Sequence, residues 1–77
     1  MMPLDEDAVR EIARELERNG SRTVVTHDPE GVKNLLLTVA NLKVYYEQEV
    51  EMTGDNREIR IANTYNFYLE KDSLGKK

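Results

Sequence analysis

The spacing of apolar residues changes once along this chain, at Leu42, and that change decides most of what the chain can become. Ahead of it the apolar residues recur at helical spacing; after it they alternate. Leu42, Val44, Tyr46, Val50 and Met52 share one face of an extended segment, interrupted by Gln48, while Lys43, Tyr45, Glu47, Glu49 and Glu51 take the other. Thr53-Gly54-Asp55-Asn56 supplies turn chemistry, and alternation resumes through Ile59, Ile61, Tyr65, Phe67 and Leu69, with Asn63 the exception. Two alternating runs around such a turn predict a long hairpin, 42–52 with 58–70. Register is restricted as well. For the two apolar faces to coincide, even positions of the first strand must oppose odd positions of the second. Pairing Thr53 with Asn56 does this and sets Val50 against Ile59 and Glu49 against Arg60. A register that pairs Met52 with Ile59 and Glu51 with Arg60 does it equally.

In the first half of the chain, Ala8, Val9, Ile12, Ala13 and Leu16 form the apolar stripe of a helix over 6–19. Asp5 is placed to cap its free amides, Glu6 and Asp7 complement its dipole, and Leu4 can staple against Val9. Asn19-Gly20 ends it, because glycine enters the left-handed turn cheaply. Val24-Val25 centres a strand over 22–26. Asp28 as cap and Pro29 in the first turn then open a helix over 29–40, with Val32, Leu35, Leu36 and Val39 at helical spacing. Leu35-Leu36-Leu37 is also compatible with a buried strand. The order α-β-α-β-β, with a right-handed crossover, places the first strand parallel to the hairpin's first strand and both helices on one face. The expected fold is a two-layer α/β sandwich with a small three-stranded mixed sheet and a long C-terminal hairpin. Its expected core joins Ile12, Leu16, Leu35 and Leu36 to the apolar hairpin faces, Ile61 included.

Composition narrows the function classes. Seventy-seven residues suffice for one domain with a thin stability margin. The chain has no cysteine, which removes disulfides, zinc ribbons and thiol nucleophiles. No apolar run approaches the roughly 20 residues of a membrane span, and the N-terminus lacks the pattern of a secretory signal, so the expectation is a cytoplasmic protein without membrane contact. The formal charge is −4, and Lys76-Lys77, in a tail expected to fray from 71 onward, is the sole basic cluster. Phosphate backbones reward clustered Lys and Arg, so direct nucleic-acid binding is not expected.

Chemistry-bearing groups are sparse. His27-Asp28 sets the single histidine beside a carboxylate, but the cap position already employs Asp28. Asp5-Glu6-Asp7 lacks the glycine-turned loop of a calcium-binding hand and reads as capping. Asn19-Gly20-Ser21 fits a glycosylation sequon and reads as a helix-ending turn. No phosphate-cradling loop or metal spacing occurs, so neither cofactor nor metal nor catalysis is expected. Two surfaces stand out instead. Glu47, Glu49 and Glu51 form a carboxylate ladder beside Tyr45 and Tyr68, partly balanced by Lys43 and Arg60, suited to a basic partner. Val50, Met52 and Ile59, near the turn of an arm about 36 Å long, extend past what a five-residue crossover strand can cover.

The succession of a first helix, Gly20, the Val24-Val25 strand, Asp28-Pro29, a second helix and a closing hairpin resembles the TusA/SirA-like sulfur-carrier family over residues 8–71. That family introduces its first helix with a Cys-Pro-x-Pro motif. The matching place here reads Met2-Pro3-Leu4-Asp5, without cysteine or second proline. The resemblance implies an α/β architecture; persulfide transfer, which needs the thiol, does not carry over. The family's leading strand is missing as well. The Alba chromatin proteins share much of the topology but are basic. The expected function is a small acidic, non-enzymatic protein-interaction module, self-associating as a homodimer or acting as an adaptor for another protein. The alternatives are an acidic inhibitor or nucleic-acid mimic, a viral one included, that occupies a basic groove on its partner, and a degenerate sulfur-carrier relative that binds a protein of that pathway.

Overall fold

The computed structural model describes residues 5–71. Leu4 and its staple against Val9, the Met2-Pro3-Leu4 segment and the Lys76-Lys77 tail lie outside the described residues. Two helices and three strands follow in the order α1 (Glu6–Asn19), β1 (Ser21–Val25), α2 (Pro29–Ala40), β2 (Val44–Met52) and β3 (Glu58–Leu69), making a small two-layer α/β fold. The Asp5 side chain accepts from the Ala8 N–H at 2.8 Å and Asp28 accepts from Gly31 N–H at 3.0 Å, so each helix starts on its carboxylate cap.

The strand limits differ from the sequence-based ones, for local reasons. Gly20, at φ 85°, ends α1, and its carbonyl accepts from Leu69 N–H at 3.0 Å, which draws Ser21 into the sheet one position early. Leu42 is not in β2: Asn41 turns left-handed at φ 59° and Leu42 N–H donates to the Leu36 carbonyl at 3.1 Å, finishing α2. The Leu35-Leu36-Leu37 run is helical, and rotation around the helix buries Leu36 completely while leaving Leu35 and Leu37 38% and 46% exposed.

The sheet is antiparallel throughout, not mixed. Its strand order is β1-β3-β2, so β1 pairs with β3 rather than with β2. β1 still runs in the same direction as β2, but β3 lies between them. This arrangement puts the most apolar half of β3 at the centre, where Phe67 faces Arg22 on one side and Tyr46 on the other in register. Antiparallel pairs are also slightly more stable per residue than parallel ones.

The hairpin ladder is broken. From Val44↔Leu69 to Gln48↔Tyr65 even positions oppose odd ones, as the coincidence of apolar faces requires. Then Glu49 alone on β2 stands against Ile61, Ala62, Asn63 and Thr64 on β3, and pairing resumes as Val50↔Arg60, Glu51↔Ile59 and Met52↔Glu58. Neither expected register occurs near the turn: Glu49 does not face Arg60, and Val50 does not face Ile59. The bulge is built by Asn63, left-handed at φ 58°, whose carbonyl accepts from Thr26 N–H at 2.7 Å. The Gln48 side-chain amide donates to the Ile61 carbonyl at 3.0 Å and satisfies a group the ladder has dropped.

The core comprises Val9, Ile12, Ala13 and Leu16 of α1, Val32 and Leu36 of α2, Leu42, and Val24, Val44 and Phe67 from the three strands. Leu35 and Ile61, expected within it, are outside the buried set, because the helix turns Leu35 to water and the bulge displaces Ile61 from the covered face. Tyr46 sits at the core margin. Its hydroxyl donates to Glu30 Oε1 at 2.9 Å, and its ring packs 5.2 Å from Phe67 and edge-on to Tyr65. The Glu30 carboxylate, first through that hydrogen bond and then with partial desolvation, raises the Tyr46 phenol above the ordinary tyrosine value. Only the protonated phenol donates, so this contribution is complete below the unfolded tyrosine pKa and is lost as pH rises through the raised folded value. In an alkaline titration the phenolate absorbance should show a late component that Tyr46→Phe lacks; loss of an early component instead would mean that the bond to Glu30 is not kept.

Candidate interaction surfaces

Both helices pack on one face of the sheet, and no other element among the described residues covers the opposite face. Alternation along the strands sends Thr23, Asn66, Tyr68, Tyr45, Glu47 and Glu49 there. Tyr45 and Tyr68 are cross-strand partners and stack, ring centroids 5.1 Å apart and planes at 25°. Beside them a hydrogen-bonded chain crosses all three strands: Thr23 Oγ1 donates to Asn66 Oδ1 at 2.6 Å, and Asn66 Nδ2 donates to Glu49 Oε1 at 2.6 Å. The central amide therefore fixes the Glu49 carboxylate against the sheet, while Glu47 remains exposed. The sequence-predicted tyrosine and carboxylate set is thus brought together as far as Glu49. Glu51 stands apart, beyond the bulge and opposite Ile59. Arg60, expected to balance this ladder, faces Val50 instead.

The second surface is the arm beyond the bulge. β1 reaches only Thr64 on β3, so the segment from Met52 and Glu58 back to the bulge is a two-stranded ribbon. On it Val50, Met52 and Ile59 are 41%, 57% and 48% exposed. Because the register shifts at the bulge, these apolar residues do not oppose one another: Val50 and Met52 stand beside Arg60 and Glu58, and Ile59 beside Glu51.

Of the other titratable groups that the sequence singled out, the helix-start carboxylates serve local structure. Asp28 caps α2 and its own N–H donates to Thr26 Oγ1 at 3.0 Å, while His27 is exposed in the turn. Asp5 is a cap, and Glu6 pairs with Arg10 at 3.6 Å. Glu15 and Arg22, 3.4 Å apart, border a shallow polar groove with Ser21, Thr23, Asn66 and Tyr68. Among the described residues no three His, Asp or Glu side chains converge, and no helix is long and apolar enough to cross a membrane. The feature that sequence reasoning missed is the Thr23–Asn66–Glu49 chain, because it needs β1 beside β3. Comparison with protein-family models, with curated proteins and with solved structures finds no match in any of the three.

Proposed function

We propose that this chain is a cytoplasmic, non-enzymatic protein-interaction module that self-associates through its hairpin arm. The observation that carries this reading is the ribbon past the bulge, which holds Val50, Met52 and Ile59 in water with no third strand or helix among the described residues over them. A two-stranded ribbon is marginal alone, and its exposed apolar side chains, Val50 and Met52 on one face and Ile59 on the other, gain by being covered. A second copy closes the contact two-fold symmetrically. Sedimentation at tens of micromolar should therefore show a dimer of the 8.9 kDa chain. Met52→Lys combined with Ile59→Glu should dissociate it without loss of helix signal, since neither residue belongs to the core. A clean monomer across that range sinks the proposal.

The stacked Tyr45–Tyr68 pair beside Glu47 and Glu49 favours a second reading, in which the bare sheet face occupies a basic groove on another protein. Carboxylates beside aromatic faces suit Arg and Lys side chains through charge and cation–π attraction. Such binding weakens steeply with added salt. If the double substitution leaves the dimer intact, this face becomes the expected interface.

A further inference from the structure

The arm carries the chemistry of its own partner in one short segment of β3. β1 covers β3 from Thr64 to Tyr68, and the last bond from that side reaches Asn63, so among the described residues the edge of 58–62 has no strand beside it. Which backbone groups face that edge follows from the ladder. Thr53 N–H donates to the Arg57 carbonyl at 2.9 Å, which makes Thr53 and Arg57 a hydrogen-bonded pair, and Glu51 with Ile59 the next one. Ile59 therefore spends its N–H and C=O on β2, and Glu58 and Arg60 turn theirs to the open edge. Both side chains are exposed, and neither forms an ion pair among the described residues: their cross-strand neighbours are Met52 and Val50.

We propose that two copies of the chain pair antiparallel through this edge, with Ile59 against Ile59 at the two-fold axis and each Glu58 against Arg60 of the other copy. This deepens the self-association reading and rests on it. Antiparallel pairing hydrogen-bonds only residues that both face the shared edge, so the register can move only in steps of two. A shift one way sets Arg60 on Arg60; a shift the other way sets Glu58 on Glu58. The proposed register alone joins opposite charges, and it does so twice, because Glu-Ile-Arg read against itself gives Arg-Ile-Glu. A charged edge ordinarily discourages pairing. The order of charges on this one rejects neighbours out of register and accepts its own copy in register. Ile59 falls at a non-hydrogen-bonded position, where side chains across the ladder approach most closely.

The test is charge reversal with mixing, read by sedimentation equilibrium with circular dichroism as the check on folding. Glu58→Arg and Arg60→Glu each turn both attractive pairs into repulsive ones, so each variant alone should self-associate at least about tenfold more weakly than the wild type. Mixed together, they should form a heterodimer at near wild-type affinity, because every pair is then opposite in sign. A second variant decides the matter independently of charge. Ile59→Cys, in a chain otherwise without cysteine, should cross-link to its copy under mild oxidation, because opposed residues at such a site lie about 4.5 Å apart, within disulfide reach. Thr53→Cys, at the turn, should not. A wild-type dimer that both reversals leave unchanged, or an Ile59→Cys dimer that stays unlinked, overturns the edge pairing and leaves self-association standing. A wild type that remains monomeric overturns both.

Discussion

Phe67→Ala is expected to unfold most of the population at room temperature. The ring is fully buried on the central strand, between Arg22 and Tyr46 in register, and packs against the latter at 5.2 Å. Deleting a buried phenyl group costs about 3–5 kcal/mol through lost transfer energy and the cavity left behind. A domain this small commands little more than about 5 kcal/mol in total. Urea unfolding followed by circular dichroism gives the comparison. Ile61→Ala, at a half-buried position beside the bulge, should cost well under half as much. Equal losses at the two positions would mean that the apolar face of β3 is buried along its whole length, and that the bulge does not end the core.

The second large effect is expected at Asn63. Its φ of 58° suits glycine, which has no Cβ to clash, and asparagine, whose short polar side chain tolerates the left-handed region, and it disfavours β-branched residues. Asn63→Ile should cost about 2 kcal/mol or more, while Asn63→Gly should be nearly neutral. The loss is not confined to one residue, since the Asn63 carbonyl holds Thr26, and Thr26 is buried and accepts from the N–H of the α2 cap residue. If isoleucine were tolerated as well as glycine, the hairpin would be able to pair without the bulge, in one of the unbroken registers that the alternation of apolar residues allows.

The helices were legible because each is written twice, in an apolar stripe and in caps that name its ends: Asp5 and Gly20 for α1, Asp28 for α2. The existence of the hairpin was equally plain from the change of period at Leu42 and the turn at Thr53 to Asn56. Its register was not, because the parity argument assumes an unbroken ladder. The signal against that assumption was present. Gln48 and Asn63 are the two polar residues that interrupt otherwise apolar faces, and they are the two that build and satisfy the bulge. The position of β1 could not be read at all. A five-residue strand fits beside either arm of the hairpin, and what decides between them is the packing of Val24 beside Tyr65 and Phe67, a contact between residues some forty positions apart. The acidic face suffered the same limit: its carboxylates and tyrosines share a parity, but the partner of Glu49 is an asparagine whose orientation is fixed by a threonine on β1.

The strand at the centre of this sheet is the last of the three to be synthesised. β1 and β2 never touch each other; every rung of the ladder has β3 on one side. A ribosome that has released the chain only as far as Met52 has therefore released two helices and two strands without one native strand pair. β1 has no neighbour until Thr64 is made, and Ser21 waits for Tyr68. Growth of the sheet therefore starts at the β2–β3 hairpin, the pair of consecutive strands that are also neighbours. It closes when β1 joins the far edge of β3, and loop-closure entropy for the β1 rungs falls due in that one late event.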